Sequence, residues 1–302
     1  MTSYFVQMAS LYRVTGNEQA AQPATPHLPA VQAEIGVIGG SGFYSLLEDA
    51  TAVSVATPWG EPSGEITVGS LAGRRVAFLP RHGVDHRFPP HRVPYRANLW
   101  ALRSLGVRQV LSASAVGSLK AEHGPGTLVL PDQILDRTWG RPHTYNDAGS
   151  GPDRGVSHVS FSDPYSAEGR AAALRAAAAA GIPLVGEGTL VVINGPRFST
   201  RAESLDYQRA GATIIGMTAM PEAILARELA LGFTGLCLVT DHDAGVEVGS
   251  GVTHAEVLEQ FAANLPRLRA LLIATLAELP AASADEVYAE VYGSIVPPFD
   301  LP

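Results

Sequence analysis

A few short segments hold most of the side chains able to do chemistry. Pro80-Arg81-His82-Gly83 places a permanent cation beside an imidazole donor directly after an apolar run. Arginine suits two-point recognition of a phosphate. Thr240-Asp241-His242-Asp243 follows another apolar run and offers two carboxylates in apolar surroundings. Such carboxylates accept hydrogen bonds from an exocyclic amine, and burial raises the pKa of one until it can hold or donate a proton at a ring nitrogen. The competing reading is a solvated turn capped by its own aspartates. Gly39-Gly40-Ser41-Gly42 can turn backbone N–H groups and the Ser41 hydroxyl toward an anion, or serve packing alone. Ser112-Ala113-Ser114-Ala115-Val116-Gly117-Ser118 reads as a small-residue turn with the same two possibilities. Met217-Thr218 sets a thioether beside a hydroxyl just before a helix, where the hydroxyl can also act as a cap.

Other chemistries lack their apparatus. From Gly40 the chain reads Gly-Ser-Gly-Phe-Tyr-Ser, without the third glycine of a dinucleotide fingerprint, and no glycine loop ends in Gly-Lys-Ser/Thr. His82, His86 and His91 match no familiar ligand spacing, and the arginines beside them repel a cation, so no metal is expected. No G-x-S-x-G nucleophile motif is present. The one cysteine, Cys237, lies in the apolar run 233–239 and reads as a buried small hydrophobe.

These segments need a frame. Short apolar runs alternating with amphipathic stretches predict an α/β domain built around one sheet. Strands are expected at 35–38, 76–79, 107–111, 189–193, 213–216 and 233–239, and helices at 95–105, 167–180, 201–210, 221–231 and 253–279. The alanine-rich 167–180 reads as a plain surface helix, and 136–163 as a long loop. Ligands of open α/β sheets bind beyond the C-terminal ends of the strands, where the polar segments above begin. Residues 1–33, with prolines at 23, 26 and 29, read as a loose extension, and 34–302 as one domain.

With 302 residues and 46% hydrophobic content the chain can bury a real core, and its formal charge of −8 opposes binding to nucleic acid. No apolar stretch reaches about 18 residues and no signal sequence is visible, so a cytoplasmic protein without a membrane span is expected.

Together the segments resemble the methylthioadenosine phosphorylase branch of the trimeric purine nucleoside phosphorylases over most of residues 35–275. The carriers are Gly36-Val37-Ile38-Gly39-Gly40-Ser41-Gly42, Pro80-Arg81-His82-Gly83, Tyr95-Arg96-Ala97-Asn98-Leu99-Trp100-Ala101-Leu102, Gly195-Pro196-Arg197-Phe198-Ser199-Thr200-Arg201-Ala202-Glu203-Ser204, and Met217-Thr218 followed by Pro221-Glu222. The resemblance implies the nucleoside phosphorylase fold, a central mixed β-sheet flanked by helices. It implies phosphate held by Ser41, Arg81, His82, Ser114, the backbone at Ala115, and Thr218. Met217 packs on the ribose, Phe198 and Ser199 line the base pocket, and Asp241 and Asp243 address adenine. Relatives taking 6-oxopurines carry Asn at the position of Asp241 and Glu at that of Ser199, so both residues favour a 6-aminopurine, whose amine donates to a carboxylate.

His254 departs from the branch and resembles the 6-oxopurine relatives, in which a histidine meets the 5′-hydroxyl; a helix-surface histidine is the alternative. Val257 and Leu258 keep an apolar wall, so the accepted 5′ group is a hydroxyl, methylthio or small 5′-deoxy substituent such as a halogen. The resemblance further implies a homotrimer with His158 reaching a neighbour's site. The expected reaction is attack of inorganic phosphate, a co-substrate, on C1′ with Asp241 sharing a proton with purine N7, without cofactor, metal or covalent intermediate. A 6-oxopurine phosphorylase, a hydrolytic nucleosidase and a non-catalytic nucleoside-binding protein are the rival readings.

Overall fold

The computed structural model describes residues 32–40, 47–146, 158–246, 254–280, 291–293 and 299–302. Along the chain run β1 (Ile35–Gly39), β2 (Glu48–Val53), β3 (Ile66–Leu71), β4 (Arg74–Pro80), α1 (Tyr95–Ser104), β5 (Gln109–Ser118), β6 (Leu128–Val129), β7 (Gln133–Arg137), α2 (Ala167–Ala180), β8 (Thr189–Ile193), α3 (Arg201–Arg209), β9 (Ile214–Gly216), α4 (Ala219–Glu228), β10 (Gly232–His242) and α5 (His254–Glu278). The expected extension falls almost wholly outside the described residues, as does Ser41.

The strands form one mixed sheet in the order β2-β3-β4-β1-β5-β9-β8-β7, with β10 along β5 and β6 on β10. Helices cover both faces. Every residue of β1 is buried, and period-2 alternation sends Ile35 and Val37 to one face and Ile38 to the other. On the first face Ile35 and Val37 share a core with Ala172, Ala173 and Ala177 of α2 and Leu268, Leu271 and Leu272 of α5. On the second, Ile38 joins Leu99 and Leu102 of α1 and Ala223, Leu225 and Ala226 of α4.

The alanine-rich helix is therefore more than a surface element: its buried alanine face packs against α5 and β10. Ser166 caps its start by accepting from the Gly169 N–H, and Gly181 ends it in the left-handed region. Strands β2, β3, β6 and β7 were not expected. All but one residue of β2 are exposed and β6 has two residues, so neither has the apolar pattern that marks a strand; β7 precedes the expected long loop and runs two residues into it, paired in parallel with β8. Among the described residues no helix is long and apolar enough to cross a membrane.

Candidate active site

The site is built on a gap in strand pairing. β10 follows β5 along its whole length, from Gln109 to Ser118. On the other edge β1 pairs only as far as Ser112, and β9 takes over at Gly117 and Ser118. Between them, residues 113–116 have one edge that no strand among the described residues covers. Backbone N–H and C=O groups there are open to other partners, as at the strand ends where α/β proteins bind ligands. The expected turn at Ser112–Ser118 is thus strand throughout. Small side chains look like a loop in sequence, but the unbroken β10 ladder holds them extended, with Ser114 half-buried and Ala115 exposed.

Arg81, at the end of β4, closes one side of the gap. Only 3% exposed, it donates from Nη1 to the Ala113 carbonyl at 2.9 Å and from Nη2 to Ser112 Oγ at 2.7 Å. Its fork of Nε and Nη2 is taken by Glu222 of α4, at 2.5 and 3.2 Å, and Ser112 Oγ also donates to Glu222 at 2.9 Å. The guanidinium is not a free two-point phosphate clamp, as the sequence suggested, because an internal carboxylate occupies that fork. Burial works against its charge, but Glu222 outweighs this and holds the pKa above its ordinary value.

His82 is likewise corrected as a donor to an anion. Its Nδ1 lies 2.8 Å from the Phe88 carbonyl, which can only accept, so Nδ1 carries the proton. Burial, reinforced by the Arg81 charge, pushes its pKa down to about 4, so at neutral pH the ring is uncharged and Nε2 presents a lone pair. The ring stacks on His86 at 4.4 Å.

The acidic end lies farther along the same strands. β10 continues past the expected end at Val239 through a bulge at Thr240, after which Asp241 pairs with Gly117 and His242 with Ser118. A bulge re-aims the side chains that follow it. Asp241 is therefore strand, not a solvated turn. Its Oδ2 lies 3.0 Å from where a Cβ on Gly117 would stand, so glycine is what lets the carboxylate approach β5. Burial, with a contribution from Asp243, raises its pKa to about 6 despite a 2.7 Å hydrogen bond from Thr240 Oγ1. Asp243 is 3% exposed and accepts from Ser199 Oγ at 2.6 and 2.5 Å, which ties the segment before α3 to the end of β10. Phe198 beside it is half-buried.

Met217 and Thr218 lie between β9 and α4. Thr218 stands at the start of α4, but its hydroxyl makes no cap hydrogen bond, so capping does not account for it. The Met217 sulfur lies 2.5 Å from where a Cβ on Gly195 would stand; Gly195 adopts φ +59°, open to glycine, and lets the Met217 side chain cross it. Val257 is half-buried and Leu258 exposed near the start of α5, and His158 is exposed. The His254 side chain, like Ser41, lies outside the described residues. Cys237 is buried as expected, its thiol pushed up to about 12 by burial.

The phosphorylase superfamily model matches residues 34–277, which spans this whole arrangement. The chain belongs to the phosphorylase superfamily. Within it, the chain belongs to the methylthioadenosine phosphorylase branch, as its relatives show. It is 60% identical to a purine nucleoside phosphorylase of Streptomyces coelicolor, covering 83% of this chain and 91% of that one. It is 52% identical to an S-methyl-5′-thioadenosine phosphorylase of Mycolicibacterium smegmatis, covering 89% and 99%. Among solved structures, the methylthioadenosine phosphorylase of Schistosoma mansoni in complex with adenine superposes with a TM-score of 0.79 at 36% identity, covering 85% of this chain and 95% of that one.

Two residues of this superfamily member deepen the site beyond the sequence reading. Glu222, 1% exposed, sits in the otherwise apolar start of α4, and a carboxylate in that setting signals a buried cation. Arg141, 6% exposed, lies in the aperiodic stretch after β7 and reaches both Met217 and Asn194.

Proposed function

We propose that this phosphorylase cleaves 5′-methylthioadenosine, or a closely related 5′-modified adenosine, with inorganic phosphate to give adenine and the sugar 1-phosphate. One observation carries the reading: an anion-binding edge on β5 and a protonatable carboxylate on the paired strand β10 stand a few residues apart along one ladder. Ser114 and Gly117, the residue facing Asp241, are three residues apart, about 10 Å along a strand. That is room for one sugar between a phosphate and a base.

On this reading phosphate lies over residues 113–116, held by Ser114, the Ala115 backbone, Thr218 and Ser41. Arg81 is neutralised by Glu222 and keeps one Nη1 hydrogen for the anion. The His82 Nε2 lone pair accepts from a phosphate O–H. Phosphate attacks C1′ from the face opposite the base, and its own negative charge stabilises the oxocarbenium-like sugar. Asp241, with a pKa near 6, brings a proton to N7 as charge develops on the leaving adenine. Asp243 accepts from the 6-amino group while Ser199 orients it. Met217 packs on the ribose, and His254, Val257 and Leu258 surround the 5′ substituent. The cycle uses no metal or organic cofactor, and the protein acts in the cytoplasm as a homotrimer with His158 at a neighbour's site.

The Streptomyces relative's name favours a second reading, a 6-oxopurine nucleoside as substrate. Two carboxylates at the base end oppose it, because O6 is itself an acceptor. The test is spectrophotometric turnover of methylthioadenosine, adenosine and inosine, each with and without phosphate. Phosphate-dependent release of adenine, ahead of any inosine turnover, is expected. Preference for inosine, or adenine release that ignores phosphate, overturns the reading.

A further inference from the structure

Arg141 is a buried cation with no carboxylate within ion-pair distance among the described residues; backbone and side-chain oxygens satisfy it instead. Nε donates to Asn194 Oδ1 at 3.1 Å, and Nη2 to the carbonyls of Asn194 at 2.7 Å and Ile193 at 3.4 Å. Nη1 donates to the Met217 carbonyl at 2.9 Å, to the Met220 carbonyl, and to the Tyr95 hydroxyl at 3.4 Å. Tyr95 Oη in turn donates to the Pro90 carbonyl at 2.8 Å, in the loop that follows His82.

The partners are not scattered. Ile193 ends β8, and Asn194 opens the segment that leads to Phe198 and Ser199 at the base end. Met217 and Met220 flank Thr218 at the phosphate end. A planar guanidinium fixes several acceptors in one plane at once, which a point charge cannot do.

We infer that Arg141 is a positioning residue of the phosphorolysis: it ties the Met217–Met220 segment to the segment beginning at Asn194 and so fixes the separation of the phosphate and base ends of the site. The inference rests on the function proposed above. Arg170 supplies the internal comparison. It binds the carbonyls of Leu130, Pro131 and Gly186 by the same chemistry, but at segments to which the proposed mechanism gives no role.

The experiment compares Arg141→Ala, Arg141→Lys and Arg170→Ala in the full chain, with methylthioadenosine and phosphate. Arg141→Ala should lose about a hundredfold in kcat, the scale of a 1 Å misplacement of reacting groups. Added methylguanidinium should restore turnover saturably, whereas methylammonium should not. Arg141→Lys should remain well below wild type, and Arg170→Ala should lower Tm while leaving kcat and both KM values unchanged. Kinetic constants of Arg141→Ala equal to those of Arg170→Ala, or full activity in Arg141→Lys, overturn the inference. If Arg141→Ala does not fold, Asn194→Ala decides. Of the Arg141 acceptors it removes the one to Nε, along with a 3.5 Å hydrogen bond from the Trp139 N–H, and should raise the nucleoside KM without moving the phosphate KM; an unmoved nucleoside KM overturns the inference. If wild type itself shows no phosphate-dependent turnover, the functional reading has failed instead. Calorimetric adenine affinity then tests Arg141 separately: it should fall in Arg141→Ala and not in Arg170→Ala, and equal affinities reject the positioning role.

Discussion

Replacing Glu222 by glutamine should weaken the fold and strengthen the grip on phosphate at the same time. Glu222 and Arg81 are 1% and 3% exposed and joined at 2.5 Å, so removing the carboxylate charge leaves a cation buried without its partner. Breaking a buried pair on one side costs about 3–5 kcal/mol. For a domain of this size each kcal/mol lowers Tm by about 2–4 °C, giving a fall of about 6–20 °C. The same change unmasks a positive charge beside the open edge of residues 113–116, so phosphate becomes the available counter-ion. Bound phosphate at a hundred times its Kd returns about 2.7 kcal/mol to any protein. Because Glu222→Gln binds phosphate more tightly, a fixed phosphate concentration should raise its Tm more than that of wild type, and its phosphate KM should fall. Differential scanning fluorimetry across a phosphate series, with initial rates at fixed nucleoside, reads both quantities. An unchanged Tm in the absence of phosphate, or a phosphate KM that rises, refutes the view that Glu222 neutralises Arg81.

Other perturbations test the acidic end. With a folded pKa near 6 against an ordinary 3.8, Asp241 holds its proton more tightly in the native state. Its favourable contribution is complete below pH 3.8 and is lost as pH rises through about 6. Asp241→Asn should therefore gain Tm relative to wild type at pH 8 and not at pH 3.5, as thermal melts at the two pH values would show. The same variant should lose adenine-nucleoside turnover, and the fall of wild-type kcat/KM above about pH 6 should vanish from whatever activity remains. Gly117→Ala places a Cβ 3.0 Å from both Asp241 Oδ2 and Ile215 Cγ2, so steady-state kinetics should show reduced kcat, with a stability loss of about 1–3 kcal/mol in chemical denaturation. Ser199→Ala removes the hydroxyl hydrogen bond to buried Asp243 and should cost about 1–3 kcal/mol by the same measurement, with a raised nucleoside KM.

Much of the frame was legible because its signals are local. The alanine-rich helix runs from 167 to 180 and β8 from 189 to 193, as propensity and apolar runs predicted. What stayed hidden depends on partners distant in sequence. Ser112–Ser118 is strand because β10 pairs along it, and the gap on its other edge exists because β1 stops and β9 begins late, neither of which side-chain type reveals. Arg81, His82, Asp241 and Asp243 stood out by their place after apolar runs, yet the direction of their chemistry did not. Arg81 looks like a free clamp until Glu222 is seen in its fork, and His82 looks like a donor to the anion until its Nδ1–H is seen donating to the Phe88 carbonyl. Glu222 had a signal, a carboxylate amid the apolar residues of α4. Arg141 had none, since its acceptors are backbone carbonyls of two segments, one amide oxygen and one hydroxyl, all distant from it in sequence.

The central claim is that the paired strands β5 and β10 hold the phosphate at one place and the base at another, a sugar's length apart. A crystal structure with methylthioadenosine and sulfate bound tests it most directly. Sulfate is expected over residues 113–116, touching Ser114 and Thr218, with the adenine ring against Asp241 and Asp243. Sulfate elsewhere, or adenine turned away from both aspartates, contradicts the account.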